Sequence, residues 1–344
     1  MGILSRYGRF FPISPGSPRL DLGEGNTPLV RLGRLEELLE VQLWAKVEGA
    51  NPTGSFKDRG MVLAVSKAME EGARGVICAS TGNTSASAAA YASAGGLSCS
   101  VLLPSGKVAK GKVAQALIYG AKVVAVKGSF DDALKLVREM APQLGLKVVN
   151  SVNPMRLKGQ MSGAFEICDQ LKDSPDWLAI PVGNAGNITA YWAGFMRYLR
   201  EGLIRKVPAM VGFQAEGASP MVSGTFVDSP NTVATAIRIG KPVNASKARW
   251  AVKISGGFFE AVSDREILEA QMRLARCGIF AEPASCAPLA GLFKLKSQGR
   301  LPKGIKVVMV LTGNGLKDLE TPLGMAGDLL EVEADQDAIR EVLG

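Results

Sequence analysis

Histidine is absent from all 344 residues. Its absence removes the Ser-His-Asp triad, the Cys-His pair and every imidazole-ligated metal, so no metal site is expected. Acid-base work must then fall to lysine, carboxylates, hydroxyls or the substrate itself. Cysteine is sparse too: Cys78, Cys99, Cys168, Cys277 and Cys286 are scattered without a C-x-x-C spacing. Neither a disulfide framework nor a structural zinc is indicated, and a reduced, cytoplasmic setting is expected. Aromatic residues make up only 6%, and the net charge of +8 is spread among acidic residues rather than gathered in a stripe. That pattern argues against nucleic acid and leaves a basic field suited to small anionic ligands. Long hydrophobic runs are missing as well. The opening MGILSRYGRFFPISPGSP has no apolar stretch of secretory length, and Arg6 stands where a myristoylation pattern needs Ser or Thr. Residues 75–106 contain no Asp, Glu, Lys or Arg, but TGNT and GG interrupt them and Ser, Thr and Asn recur. This composition argues against a membrane span and for a buried strand, a polar loop and an Ala-rich interior helix.

What is present is an ordinary globular balance, 47% hydrophobic and 21% charged, in a chain long enough for one or two domains. Short β-branched runs alternate with helix-length segments: 41–48, 75–80, 98–104, 121–126, 146–150, 177–182, 210–215 and 306–313. This βα rhythm predicts an α/β fold with parallel sheets. Ser129 with Asp132 reads as a capping box, followed by Phe130, Leu134 and Val137 at helical spacing, a purely structural helix. The acidic end, GDLLEVEADQDAIREVLG, suggests a surface helix.

Three loops share one form, a strand end followed by small residues and a helix start: STGNTSAS (80–87), PVGNAGNIT (181–189) and LTGNGLKD (311–318). In open α/β sheets ligands sit beyond the carboxyl ends of strands, where amides and helix N-termini favour anions. A single such loop means little, because Gly and Asn also mark ordinary turns. A fourth stretch, NPTGSFKDRG (51–60), places Lys57 behind a Pro-Gly turn at a helix start. Most lysines are solvated charges. Against that reading, Gly54, Ser55 and Phe56 permit close approach and supply an apolar neighbour. Desolvation and the helix dipole would lower the pKa of such an amine, making Schiff-base chemistry with a phosphate-bearing aldehyde cofactor plausible.

Taken together, NPTGSFKDRG, ASTGNTSASAAAYAS, KVAQALIYGAK, VNSVNPMR, PVGNAGNITAYW, ATAIRIG, EPAS and LTGNGLKD resemble the threonine synthases, in the fold-type II (tryptophan synthase β-like) family of pyridoxal-phosphate enzymes. The resemblance runs from about Gly23 to Asp318. The lysine motif alone is shared with the dehydratases and the cysteine-forming synthases. GNAGN is more discriminating, since dehydratases typically carry a run of glycines there.

The resemblance implies two open, twisted, mostly parallel sheets flanked by helices. Residues 1–50 and 151–344 would form a discontinuous large domain and 51–150 a small mobile one. It implies pyridoxal 5′-phosphate attached to Lys57, which would also move protons. Asn83 would meet the phenolic oxygen of the cofactor, and Thr312 its pyridine nitrogen. Gly183, Asn184, Ala185, Gly186 and Asn187 would cradle its phosphate. The implied substrate is O-phospho-L-homoserine, its carboxylate at Ser80, Thr81, Asn83 and Thr84 and its phosphate at Lys112, Asn150, Ser151 and Arg156. A homodimer is implied, with neither nucleic-acid nor membrane partners. Two positions depart from the family pattern: Met155 and Asn314 stand where threonine synthases usually have histidine. The remaining candidates have plainer readings. Asp58 suits a helix start and Arg59 a structural ion pair. The four tryptophans suit core or interface, and Cys286 a small buried side chain. Ser285 is a weak candidate for a site contact. A serine/threonine dehydratase of the same fold and a catalytically inert cofactor-binding protein are the alternatives.

Overall fold

The computed structural model describes residues 1–105, 110–324 and 330–343, with the side chains of 110–112, 130 and 131 outside that description. Among the described residues ten strands form two sheets. The first holds β1 (Leu29–Arg31), β2 (Gln42–Val47), β7 (Trp177–Pro181), β8 (Ala209–Ala215), β9 (Phe258–Val262) and β10 (Lys306–Leu311). Their spatial order is β1-β2-β10-β7-β8-β9. Only β1 is antiparallel. The second sheet holds β3 (Gly75–Ala79), β4 (Ser98–Pro104), β5 (Lys122–Val126) and β6 (Leu146–Val148), all parallel, in the order β5-β4-β3-β6.

Parallel strands need helical crossovers, which cover both faces and leave the central strands continuously apolar. Accordingly β3 is buried at every residue, and β7, β8 and β10 at nearly every one. All eight runs read from the sequence are strands. The two that escaped notice, β1 and β9, are the outer strands of the larger sheet, short and half-buried, with a correspondingly weak hydrophobic signal. The capping box is present: the Asp132 amide donates to Ser129 Oγ at 3.2 Å and the Ser129 amide to Asp132 Oδ2 at 2.8 Å. Val137 and Leu134 from that helix pack under the smaller sheet; the side chain of Phe130 lies outside the described residues. The acidic end forms an exposed helix, Gln336–Leu343. Among the described residues no helix is long and apolar enough to cross a membrane, and no group of residues could hold a metal ion.

The order of the larger sheet matters most for the site. β10, last in sequence, lies between β2 and β7, so the crossovers diverge on either side of it. Divergence at neighbouring strands opens a crevice at their carboxyl ends. The segments leaving β2, β10 and β7 are the Lys57 turn, the TGNG loop and the GNAGN loop.

Candidate active site

Backbone pairing joins the first two of these segments. Phe56 N donates to Thr312 O at 3.0 Å and Asn314 N to Gly54 O at 2.9 Å, with a bridge between Ser55 and Gly313. Gly54 is left-handed at φ 81°, a conformation that favours glycine, and a Cβ there would also press on Lys317 Cε at 2.9 Å. The turn delivers Lys57 as the first residue of the helix Lys57–Glu70. Lys57 is half-buried, and its Nζ sits 4.1 Å from the centre of the Phe56 ring. Burial pushes its pKa down to about 7, and the charge of Arg156 adds to the effect while Glu282 opposes it.

The helix is anchored immediately behind the lysine. Asp58, fully buried, accepts from Thr53 N at 2.7 Å, Thr53 Oγ1 at 2.6 Å and Ser87 Oγ at 2.6 Å. Arg59, 0% exposed, forks onto Glu48 (Nε–Oε2 2.6 Å) and Glu166 (Nη2–Oε2 2.7 Å), and Glu166 also pairs with Lys46 at 2.8 Å. The structural readings of both residues hold. A buried arginine with two carboxylate forks fixes the direction of the helix start more firmly than a solvated pair would.

The third loop forms an anion cradle. Ala185 adopts a left-handed conformation, φ 60° and ψ 5°, as the N-cap of the helix Gly186–Arg200. Such a turn points successive amides into one concavity, reinforced by the helix dipole. Among the described residues no group accepts from the amides of Gly183, Asn184, Ala185, Gly186 and Asn187. Gly183 admits the segment around Ile237, since a Cβ would lie 3.0 Å from Ile237 Cα. Asn244 N donates to Asn184 O at 3.2 Å, securing the loop from outside. The side chain of Asn187 is 8% exposed and neither Nδ2 nor Oδ1 has a partner among the described residues. Arg156, 3% exposed, donates Nη1 to Val149 O at 2.6 Å while its Nε is unpartnered among them. Buried polar groups left unsatisfied cost about 1–3 kcal/mol each, and these two can be satisfied by a bound group or by water. The cradle, the orphaned donors and the low-pKa lysine fit a phosphate-bearing aldehyde such as pyridoxal phosphate.

Other predicted residues are placed with varying support. Thr312 Oγ1 lies 3.0 Å from Ser285 Oγ, which also accepts from Gly313 N at 2.9 Å, so the weak candidate Ser285 joins the site's framework. Asn83 starts the helix Asn83–Ala94, with Ser80, Thr81 and Thr84 half-exposed around it. Among the described residues the amides of Thr81, Asn83 and Thr84 have no acceptor. Asn150 spends its side chain on the end of β3, accepting from Ala79 N at 3.0 Å and donating to Ala79 O at 2.8 Å. Ser151 is half-buried. The side chain of Lys112 lies outside the described residues. Met155 packs against the core, and Asn314 accepts from Leu316 N at 3.0 Å, capping a short turn. Cys286 is fully buried, and Trp192 and Trp250 form a T-shaped pair with Trp250 half exposed.

Two charged residues beside the site escaped the sequence reading. Glu282, 5% exposed, accepts from Asn83 Nδ2 at 3.1 and 3.3 Å, and burial raises its pKa. Lys317 donates to Gln115, and burial lowers its pKa. Both belong to quoted motifs, EPAS and LTGNGLKD, but nothing local distinguishes them from surface charges.

Comparison with known proteins agrees with this geometry. The family model described as pyridoxal-phosphate dependent enzyme matches residues 20–313. A threonine synthase from Bacillus sp. (strain ULM1) is 52% identical over 342 residues, covering 99% of this chain and 96% of that protein. Another from Halalkalibacterium halodurans is 55% identical over 323 residues, 94% and 91% of the two chains. Among solved structures, maize serine racemase aligns with a TM-score of 0.78 at 19% identity, over 89% of this chain and 93% of that one. The processed form of threonine deaminase isoform 2 from Solanum lycopersicum aligns with a TM-score of 0.73 at 24% identity, over 84% and 79%. These two structures support the fold alone, whereas the near-full-length identities separate the synthases from the deaminases. By its lysine turn, its anion cradle and these relatives, the chain belongs to the threonine synthases of the pyridoxal-phosphate dependent enzyme family.

Proposed function

We propose that the protein converts O-phospho-L-homoserine and water into L-threonine and inorganic phosphate, with Lys57 as the residue that holds pyridoxal phosphate and moves protons. The observation that carries this assignment is an amine with a pKa of about 7 at the carboxyl end of the larger sheet, where the amides of 183–187 have no acceptor among the described residues. When bound, the cofactor supplies an electron sink for negative charge developing on the substrate carbons. The amides of 183–187 and the Asn187 side chain would hold its phosphate, Asn83 would meet its phenolic oxygen, and the Thr312 hydroxyl its ring nitrogen. A hydroxyl there, unlike a carboxylate, does not favour a protonated ring.

Ser80, Thr81, Asn83 and Thr84 bind the substrate carboxylate with neutral donors and a helix terminus. Arg156, with Lys112, Ser151 and the Nδ2 hydrogen that Asn150 does not give to Ala79 O, binds the phosphate that leaves from Cγ. The neutral amine of Lys57 takes a proton from Cα and a proton from Cβ, and phosphate leaves Cγ with the C–O bond electrons. A proton returned to Cγ makes the methyl group, water adds its hydroxyl at Cβ and gives up its proton, and a last proton returns to Cα. A pKa near the working pH suits a group that must both accept and return protons, and the departing phosphate provides a second acid-base group in a chain without histidine. We further propose that residues 51–150 move against the rest to exclude surplus water, and that the enzyme acts as a cytoplasmic homodimer.

The test is turnover of O-phospho-L-homoserine with phosphate and threonine both measured. Equal release of the two products is expected, and Lys57→Ala should abolish both the release and the visible colour of bound cofactor. Formation of 2-oxobutanoate from threonine as the main activity would establish a dehydratase instead. Stable colour with no turnover of either substrate would leave a binding protein.

A further inference from the structure

Glu282 is a buried carboxylate with no ion-pair partner among the described residues, although it stands at the start of a 15-residue helix, Pro283–Ser297. It does not cap that helix. Both oxygens turn instead to Asn83 Nδ2, at 3.1 and 3.3 Å, across a sequence separation of 199 residues. The surrounding backbone holds the carboxylate in place. Glu282 N donates to Gly313 O at 3.1 Å, and Ala281 bridges to Asn314. A Cβ on Gly313 would lie only 2.4 Å from Glu282 Oε1, so glycine makes room for the carboxylate at that point.

The chemistry of this contact is one-sided. An asparagine amide offers a carbonyl and an amino group of nearly the same shape, and hydrogen bonding alone decides which way it points. An ionised carboxylate only accepts, so it selects the amino group. The near-equal distances let one Nδ2 hydrogen serve both Glu282 oxygens, which leaves the second on the same nitrogen with its direction set by the planar amide.

We propose that Glu282 is a positioning residue that orients the Asn83 amide so that N–H, and not C=O, is presented to the phenolic oxygen of the cofactor held by Lys57. The proposal rests on the reading that Asn83 faces the cofactor, and the experiment separates the two. Cofactor affinity is measured by titrating cofactor-free protein with pyridoxal phosphate, together with the position of the visible absorption band. The variants are Asn83→Ala, Glu282→Ala, their double mutant and Glu282→Gln.

Each alanine variant should weaken binding by roughly tenfold and shift the band, while the double mutant falls within about threefold of the weaker single, the non-additivity expected of one shared contact. Glu282→Gln keeps the shape but its amide can accept or donate, so it no longer selects the Asn83 amino group. It should shift the band and weaken binding by more than about threefold, and parent affinity with an unshifted band in this variant would overturn the proposal. Independent losses that multiply in the double mutant would overturn the proposal, as would parent affinity and an unshifted band in Glu282→Ala. Parent-like binding by Asn83→Ala would instead overturn the placement of Asn83. If Glu282→Ala fails to fold, Asn83→Asp replaces it. That carboxylate would repel Glu282, so the change should weaken binding about tenfold more in the parent than in the Glu282→Gln background. Equal effects in the two backgrounds would again overturn the proposal.

Discussion

The pKa of Lys57 can be measured directly on cofactor-free enzyme. A lysine with the ordinary pKa of 10.5 has about 3 amines in 10,000 unprotonated at pH 7, whereas a pKa of about 7 leaves about half unprotonated, a difference of roughly a thousandfold. Competitive labelling of all amines with trace formaldehyde and cyanoborohydride, followed by peptide mass spectrometry from pH 5.5 to 10, reports each lysine's titration against the others. The Lys57 peptide should titrate with a midpoint near 7. Arg156→Met, which removes the positive neighbour, should move the midpoint up, and Glu282→Gln should move it down, following the directions in which these charges act. Stability gives a second reading. Between about pH 7 and 10.5 the unfolded chain binds the proton that folded Lys57 has released, so stability of the cofactor-free enzyme should rise with pH across this window. The rise attributable to Lys57 is at most about 5 kcal/mol, and Lys57→Met should remove it. A labelling midpoint above 9 would refute the reasoning, because it would show that the amine retains its water.

Breaking the buried network behind Lys57 should be costly: Arg59→Met leaves Glu48 and Glu166 short of a counter-charge and should lower stability by about 3–5 kcal/mol in urea denaturation. Gly313→Ala forces a Cβ against Glu282 Oε1, and overpacking there should cost about 1–3 kcal/mol and reduce cofactor affinity in the same titration. Asn314→Ala removes the acceptor for Leu316 N and should lower stability by about 1 kcal/mol in a thermal melt, a measure of how much the residue at this histidine position contributes to local structure. Restoring histidine at Met155 or Asn314 singly tests the two departures from the family pattern, with turnover of O-phospho-L-homoserine as the measurement; both sites are engaged in packing or capping, and unchanged turnover is expected.

The alternation of strands and helices was readable from the residues because parallel strands buried on both faces are continuous apolar runs, as 75–79 and 306–311 show. The edge strands at 29–31 and 258–262 are short and half-buried and carried no such signal. Lys57, the cradle at 183–187 and the loop at 312–315 were recognisable because a turn, an anion cradle and a strand-end loop are local structures with local residue requirements. Glycine at 54 and 183 and Asn or Gly along the loops meet those requirements within a few residues.

Tertiary structure alone decided how those pieces meet. Placing β10 between β2 and β7 is a long-range choice, and it brings the lysine turn, the cradle and the TGNG loop to one crevice. The pairing of Glu282 with Asn83 and of Arg59 with Glu166 joins positions 199 and 107 residues apart, beyond the reach of any periodicity. Composition and local motifs set the kinds of groups available, an amine, amides and hydroxyls without imidazole. The fold determined their protonation and orientation, because burial, neighbouring charge and hydrogen-bond partners set pKa and direction, and those depend on contacts that local sequence does not contain.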